Sequence, residues 1–243
     1  DIKENLKFGK KIHVERHPLS QEEYRMIIDA IRNPKRKALF LLLGSSGMRI
    51  GEAMQLKKKD LDVSQERIKV NIPAEITKTR KGRSTYMSRE TEKMLKPFLD
   101  DYADDDFIFD FGSTTDKSMR SARESNNLRT VLKRLNLDDR YPSNNHGKIT
   151  THSFRAYFFT LATRRHGENY AHRLTGHSGY LMQYDRMTEE EKLDMYIELE
   201  QDLMIYDQTK NELEIEKLQK DNKELTQLRQ ELRELKKEKE REL

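Results

Sequence analysis

Five basic residues stand in separate short motifs whose side chains suit anion binding and proton transfer. Arg49 follows a Gly-Met pair, Lys78 lies between two threonines, and His177 comes directly after a glycine. His152 and Arg155 form a His-x-x-Arg motif, and on a helix that spacing points both side chains the same way. The guanidinium fork binds oxyanions through two parallel N–H groups, and imidazole titrates near neutral pH. The set therefore has the residue types needed to hold an anionic group while a proton is moved.

Each of these residues, taken alone, has an ordinary explanation. Arg49 fits a surface arginine paired with Glu52, and Lys78 fits a solvated turn lysine. A lone His152 is more often structural than catalytic. The glycines ahead of Arg49 do not make a phosphate loop, because the Lys-Ser/Thr ending of that motif is absent. Only the combined order of the motifs argues for a shared site.

The elements that must position these residues are mostly helical. Ser20 followed by two glutamates predicts a capped helix that runs to Ile31. A second helix follows Pro34 and ends at the Gly-Ser-Ser-Gly break at 44–47. Ile50–Leu56 is predicted to continue helically, with its apolar residues buried as one stripe.

A small antiparallel sheet is predicted next, because two short segments alternate with period two. These are Arg67–Val70 and Arg83–Met87, and Lys78 lies at the tip of the basic turn between them. The remaining apolar periodicity is helical, which makes the fold class α+β, mostly helical. The further predicted helices are Ser88–Phe98, Ser121–Leu135, Thr151–Arg165, a segment from Gly167 to the break at Gly176, and one from Glu189 towards the tail.

The last 38 residues read as one charged helix, with ten basic and eleven acidic side chains. Apolar residues and one asparagine recur in it at spacings of three and four, which predicts a short coiled-coil seam; Asn222 at a core position would fix its register. A solitary solvated helix held by Glu/Lys pairs is the alternative. The seam is Ile215, Leu218, Asn222 and Leu225, followed by Leu228, Leu232 and Leu235. We divide the chain into a linker or arm at 1–17, a globular domain at 18–205 and the tail at 206–243.

Composition narrows the class of protein only a little. The residues before the tail carry a net charge of +5, which permits nucleic-acid binding without demonstrating it. The sequence has no cysteine, so disulfides and Cys-ligated zinc are excluded. The longest apolar run, Ala38–Leu43, is far short of the roughly 20 residues that span a bilayer. No secretory signal is present, so we expect a cytoplasmic protein, and because the chain opens on Asp1 we expect more sequence upstream.

In this order, the motifs around Arg49, Lys78, His152 with Arg155, and His177, followed by a tyrosine, resemble the tyrosine recombinase (phage-type integrase) family. The resemblance covers about Leu19 to Leu203. It implies that 18–205 is the catalytic domain of a DNA breaking-rejoining enzyme. That activity is site-specific strand cleavage and exchange on double-stranded DNA, in the integration or excision of a mobile element.

The resemblance also implies a role for each basic residue. Arg49 and Arg155 would donate to the non-bridging oxygens of the scissile phosphate, with His177 as a further donor. His152 would exchange the proton of the tyrosine nucleophile. Lys78 would protonate the departing 5′-oxygen from a mobile hairpin. The product would be a 3′-phosphotyrosine, so religation would need neither ATP nor a metal cofactor.

The nucleophile is the point at which this sequence departs from the family pattern. Most members place the tyrosine nine residues after the Gly-His motif, and that position is Arg186 here. Tyr184, at seven residues, is the best candidate because its surroundings resemble integrases of archaeal mobile elements. Tyr180 follows His177 too closely to reach the same phosphate, and Tyr196 is predicted to pack within a helix.

Supporting residues and partners complete the expectation. Glu52 lies one turn from Arg49 and would hold its guanidinium, and Thr151 would cap the helix that carries His152. Four protomers would act on two duplexes, and the tail could pair two of them. A DNA-clamping domain is expected upstream; without it the chain would bind DNA weakly and with strong salt dependence. Contacts to the DNA backbone are expected from Lys78, Arg80, Lys81, Arg83 and Lys148.

Other functions stay open at this point. A type IB topoisomerase shares the chemistry but usually lacks the histidine at His152, and a telomere resolvase is a further relative. A DNA-binding coiled-coil regulator would need a basic block before the leucine repeat, where Glu189–Glu191 stands instead. A metal hydrolase built on His152, His172 and His177 lacks a supporting motif.

Overall fold

The computed structural model describes residues 16–112, 116–177 and 186–241, with side chains as far as residue 232. The described chain is mostly helical and contains one small antiparallel sheet, which confirms the predicted α+β class. The strands are β1 (Leu61–Asp62), β2 (Lys69–Ile72) and β3 (Arg83–Tyr86). The helices are α1 (Gln21–Ala30), α2 (Pro34–Ser46), α3 (Ile50–Ala53), α4 (Arg89–Leu99), α5 (Lys117–Arg134), α6 (Thr151–His166), α7 (Glu168–Thr175), α8 (Glu189–Leu203) and α9 (Asp207–Arg241).

The predicted starts of α1 and α4 are correct, and a capping serine marks each of them. Ser20 accepts from the backbone N–H of Glu23 at the start of α1, and Ser88 accepts from Thr91 at the start of α4. Asp116 caps α5, so that helix begins four residues before its predicted start at Ser121. Local hydrogen bonding therefore sets where these helices begin.

Two predicted helices are shorter than expected. The segment predicted as Ile50–Leu56 leaves the helix after Ala53, and Leu56 instead accepts a backbone hydrogen bond from Ile108 at 3.0 Å. The predicted helix from Glu189 into the tail breaks between α8 and α9, where Met204 is extended. The buried carboxylate of Glu90 accepts from the backbone N–H groups that this break exposes, at Ile205 and Tyr206.

The sheet has the order β1-β2-β3, with both pairs antiparallel. Val70 lies opposite Thr85 and Ile72 opposite Arg83. The two longer strands were predicted, but β1 was not, because two residues are too few to show a period-two pattern. The basic turn therefore joins β2 to β3, as expected.

The hydrophobic core surrounds α2, whose residues from Ala38 to Ser46 are all buried. Helices α4 and α6 pack on it, and an aromatic group closes its far side, with Tyr24 in edge contact with Phe154 and Tyr157. This packing fixes the end of α2, from which the chain turns towards Arg49. None of the described helices is long and apolar enough to cross a membrane.

Candidate active site

Arg155 is buried, with 2% of the residue exposed. Its guanidinium donates to the carbonyl oxygens of Gly47 and Thr175, the latter at 2.6 Å, and lies 3.0 Å from Nε2 of His177. One side chain thus joins the ends of α2 and α7 to α6, which carries it. Burial, and next the charge of Arg49, lower the pKa of Arg155.

Gly47 makes the turn that presents Arg49. Its φ of +66° lies in the left-handed region, which a residue with a Cβ rarely adopts. A Cβ there would also press into the side chains of Phe158 and Thr175. The glycine break singled out in the sequence is therefore a tight helix end whose carbonyl receives Arg155.

Arg49 stands at the start of α3 and is held by Glu52, as predicted. Glu52 accepts from the backbone N–H of Arg49 at 2.8 Å and from its Nη1 at 3.0 Å. The carboxylate is buried, whereas the Arg49 side chain is 28% exposed. Glu52 therefore holds the backbone and one terminal nitrogen of Arg49, while part of the Arg49 side chain stays accessible to solvent.

Arg83 is the second partner of Glu52. Its two terminal nitrogens lie 3.2 Å and 2.6 Å from the two carboxylate oxygens. Burial alone would raise the pKa of Glu52, but the hydrogen bond and charge of Arg83, with help from Arg49, lower it. The carboxylate thus stays ionised between two guanidinium groups. Arg83 was expected to contact DNA; its guanidinium points into the protein instead.

His177 follows Gly176, which ends α7 in a left-handed conformation. Burial, together with the charges of Arg155 and Arg49, lowers the pKa of His177 to about 4. The imidazole is then neutral at pH 7, and since arginine can only donate, Nε2 is the acceptor and Nδ1 carries the proton. Arg155 and the neutral His177 are thus hydrogen-bonded to each other, and Arg49 lies close enough for its charge to lower the pKa of both.

His152 lies in the first turn of α6, one turn before Arg155, with its ring exposed. The residue that caps this helix is Thr150 and not Thr151, so that prediction was wrong. Thr150 has extended backbone angles and its hydroxyl accepts from the N–H of His152, whereas Thr151 is already helical. Partial burial and the charges of Arg155 and Arg49 lower the pKa of His152, which favours its neutral form.

Lys78 lies apart from this group, on the turn between β2 and β3. The turn is closed by Thr77, whose hydroxyl accepts from the N–H of Lys81 at 3.1 Å and donates to nearby carbonyls. Arg80 takes a left-handed φ of 55°. Thr77 is buried, while Lys78, Arg80 and Lys81 are all exposed.

The other sequence-predicted residues have different surroundings. Lys148 is on the surface and pairs with Asp139 at 2.9 Å. Tyr196 is fully buried and donates to the carbonyl of Ser45 at 2.8 Å, as its predicted packing role requires. Tyr184 and Tyr180 lie outside the described residues. Among the described side chains, no group of three or more His, Cys, Asp or Glu is placed to hold a metal ion.

Two contributions to the group were missed from the sequence. The carbonyls of Gly47 and Thr175 receive Arg155, and no side-chain motif reports a backbone acceptor. Arg83 was grouped with the basic turn because it lies directly after it. The sequence did carry one local signal, the period-two pattern that begins at Arg83. An alternating strand directs every second side chain inward, and in the structure Arg83 lies opposite Ile72.

The chain was compared with protein families, curated proteins and solved structures. The model of the phage integrase family matches residues 17–191. No curated protein matched the chain. Solved structures did match.

The XerA recombinase is 23% identical, with a TM-score of 0.54, over 78% of this chain and 66% of that one. A lambda integrase fragment, solved as a dimer bound to a COC′ core site, is 18% identical, with a TM-score of 0.53, over 75% and 65%. The integrase from mycobacterium phage Brujita is 16% identical, with a TM-score of 0.57, over 77% and 59%. At these identities the likeness shows a shared fold, and the chain spans about two thirds or less of each solved chain.

Proposed function

The chain belongs to the phage integrase family, and from that membership we propose that it cleaves and rejoins double-stranded DNA through a covalent 3′-phosphotyrosine. The observation that carries the proposal is the convergence of Arg49, Arg155 and His177, which come from distant parts of the sequence. Contacts of 3.0 Å or less join Arg155 to His177, and Arg49 to a carboxylate it shares with a third arginine. In this proposal residues 18–205 form the catalytic domain.

The three side chains would bind the scissile phosphate. Attack on a phosphodiester passes through a pentacoordinate state with added negative charge, which guanidinium forks can neutralise. Arg155 uses three of its five N–H groups on described residues, and its buried Nε lacks a partner there. Each preorganised donor of this kind is typically worth about 3–4 kcal/mol of barrier.

Proton transfer would be divided between His152 and Lys78. The lowered pKa of His152 keeps its imidazole neutral at pH 7, so it can accept the proton of the attacking tyrosine, for which Tyr184 is our candidate. Lys78 would protonate the leaving 5′-oxygen, which is otherwise a poor leaving group. Because the phosphotyrosine conserves the bond energy of the phosphodiester, religation to a second strand would need no further energy source.

The exposed turn would contact the DNA backbone on either side of the cut. Lys78, Arg80 and Lys81 point outward from a turn that is itself held by the buried Thr77. Lys148 would add a weaker contact, because it already pairs with Asp139. We further propose recombination by four protomers on two duplexes, in the integration or excision of a mobile element. The lambda integrase tetramer solved on a Holliday junction has a similar fold.

The tail helix α9 would pair two protomers. Its predicted seam carries apolar side chains that are more than half exposed, Ile215, Leu218, Leu225, Leu228 and Leu232. Asn222 lies within the seam and would set a parallel register at some cost in stability. The base of α9 is tied to α4 by the pairs Arg89–Glu216 and Lys93–Glu212, so a paired tail would also orient the two catalytic domains.

The proposal is tested by trapping the covalent intermediate. A duplex nicked close to the cut site loses a short fragment on cleavage, so the protein–DNA adduct accumulates and is seen on a denaturing gel. We expect wild-type chain to form the adduct without added metal or nucleotide, and Tyr184→Phe to abolish it. Loss in Tyr180→Phe instead would move the nucleophile. Relaxation of supercoils without any strand exchange would favour a topoisomerase, and no adduct at all would contradict the proposal.

A further inference from the structure

Strand β3 makes side-chain hydrogen bonds to several of the elements around the candidate site, namely α2, α3 and α7, and to the start of α8. The hydroxyl of Thr85 donates to the carbonyl of Ser46 at 2.9 Å, at the end of α2. The hydroxyl of Tyr86 donates to the carbonyl of Glu189 at 3.1 Å, at the start of α8. Arg83, the first residue of the strand, makes the most extensive of these contacts, and its side chain is 7% exposed.

The first contact of Arg83 fixes Arg49 indirectly. Both oxygens of Glu52 accept from Arg83, and the same two oxygens accept from the backbone and side chain of Arg49. A buried carboxylate can hold one geometry only if its lone pairs are all directed. Removing Arg83 would leave Glu52 free to rotate and to take up a proton, and Arg49 would lose its fixed base.

The second contact of Arg83 fixes the segment that carries His177. Its Nε donates to the carbonyl of Leu174 at 2.8 Å, in the last turn of α7. Gly176 packs closely against the side chain of Arg83: a Cβ on this glycine would lie 2.9 Å from Cδ of the arginine. The left-handed turn at Gly176, which positions His177, therefore packs against the Arg83 side chain.

We propose that Arg83 is a positioning residue of the active site, which fixes Arg49, through Glu52, and His177, through the end of α7, relative to one another. The inference rests on the proposed function, since it assigns those two side chains to one phosphate. Arg83 itself would not touch DNA, because its guanidinium is directed at the Glu52 carboxylate and the Leu174 carbonyl and its side chain is 7% exposed. Lysine could replace the charge but not the three contacts, because it lacks the planar fork.

Arg83→Gln separates positioning from DNA contact. We expect the rate of adduct formation at saturating DNA to fall by about 100-fold or more, since small displacements of catalytic groups have effects of this size. The dissociation constant for DNA and its salt dependence should stay within about twofold, because no phosphate contact is lost. A wild-type rate combined with a salt slope reduced by about one would show a DNA contact and overturn the inference.

A pH profile separates positioning from a general loss of stability. Arg83 is the main reason that the pKa of Glu52 is lowered despite burial. In Arg83→Gln that pKa should rise, so the adduct rate should fall steeply as the pH drops and recover partly as it rises. The wild type should show only the acid limb that protonation of His152 produces, so the limb due to Glu52 is the difference between the two profiles. A ¹³C NMR titration of the Glu52 carboxyl reads the same change without relying on activity. A Glu52 pKa that does not move in the variant would contradict the inference.

A double variant and a matched control complete the test. If Arg83 acts through Glu52, adding Arg83→Gln to Glu52→Gln should cost much less than Arg83→Gln alone, whereas additive losses would contradict the coupling. Arg165→Gln is the control, because Arg165 also meets a carboxylate and a carbonyl, but on the distant α8; its adduct rate should be unchanged. If Arg83→Gln fails to fold, Arg83→Lys takes its place, and full activity in that variant would overturn the proposal.

The two proposals can fail separately. If the wild type forms no adduct on the nicked duplex, the proposed function fails, and the role of Arg83 in positioning a phosphate site fails with it. If the wild type forms the adduct and Arg83→Gln matches its rate, the inference about Arg83 alone is overturned. A slow Arg83→Gln with unchanged DNA affinity and a raised Glu52 pKa supports both.

Discussion

The arginine group around Glu52 and the basic turn around Lys78 carry the same kind of charge but are built in opposite ways. In the first, Glu52, Arg83 and Arg155 are buried and hydrogen-bonded to protein on several sides. In the second, the protein holds only the backbone, through Thr77, and leaves Lys78 and its neighbours exposed.

The difference follows from what each region would have to do. Donors that stabilise a transition state must be oriented before the reaction, because reorganising them during it costs barrier height. A proton donor on an exposed turn can take up its position after DNA binds. The same holds for side chains that contact the DNA backbone. We therefore expect substitutions in the buried group to reduce the rate at saturating DNA, and substitutions on the turn to act mainly on DNA affinity, with Lys78 as the exception.

The largest effect is expected for Arg155→Lys. An ammonium cannot reach Gly47, Thr175 and His177 together, so two buried carbonyls would lose donors and the site would lose its fork. Adduct formation at saturating DNA should fall by about 100- to 1,000-fold, with a lower melting temperature. Arg165→Lys is the control and should match wild type. If Arg155→Lys reduces the rate of adduct formation by less than tenfold, the buried arginines are not the preorganised donors proposed here, and the contrast with the exposed turn fails.

Lys78→Ala should lower the cleavage rate by about 100-fold or more, the usual contribution of a general acid. A DNA substrate with sulfur at the 5′-bridging position needs no such acid, because a thiolate leaves readily without a proton. That substrate should restore most of the rate to Lys78→Ala and none of it to Arg155→Lys. Equal rescue of both, or of neither, would contradict the separate roles.

His177 makes the fold sensitive to acid. The pKa of His177 is lowered to about 4, by burial first, whereas an unfolded histidine titrates near 6.5. Between those values the unfolded chain binds the extra proton, so this contribution to stability is complete above pH 6.5 and is lost as the pH falls towards 4. Urea unfolding from pH 7.5 to 4.5 should show the decline, and His177→Phe should flatten it. An equally steep loss of stability in His177→Phe would show that other groups cause the decline.

On the exposed turn, Arg80→Gln should weaken DNA binding without changing the rate at saturation. The slope of log affinity against log salt should fall by about one, as for one lost phosphate contact. Lys148→Gln should change it less, because Lys148 already pairs with Asp139. Fluorescence anisotropy at four salt concentrations would measure both. A larger effect at Lys148 than at Arg80 would reverse the expected order.

The smallest effect on cleavage is expected from the tail. Replacing Leu218 and Leu225 by glutamate should shift the free protein from dimer to monomer in sedimentation experiments, since both residues lie in the predicted seam. The rate of adduct formation should change by less than about threefold. Replacing Lys220 and Lys223, outside the seam, by glutamate is the control. A wild type that sediments as a monomer at all concentrations would contradict the pairing.

Much of the fold followed from the sequence because local signals reported it. The caps at Ser20 and Ser88 and the helix end at Gly47 were predicted from single side chains and from glycine. The pairing of Arg49 with Glu52 followed from helical spacing. The misassigned cap is instructive, since Thr150 and Thr151 are adjacent and chemically identical, and only the backbone conformation decides between them.

The rest of the candidate site depends on contacts between distant segments. Arg83 and Leu174 are 91 residues apart, and Arg155 and Gly47 are 108 apart. The break between α8 and α9 is stabilised by Glu90 from another helix. No periodicity or motif reports such a partner, so Arg83 was placed correctly at the start of a strand but was expected to contact DNA.

Peptide mapping of the trapped DNA adduct tests the central claim most directly. The wild-type chain is incubated with the nicked duplex, the adduct is digested with protease and nuclease, and the modified peptide is identified by mass spectrometry. We predict a nucleotide phosphate attached to Tyr184, formed at least about 100-fold more slowly when Arg155 is lysine. A modified residue other than a tyrosine, or an adduct that forms as quickly in Arg155→Lys, would contradict the account.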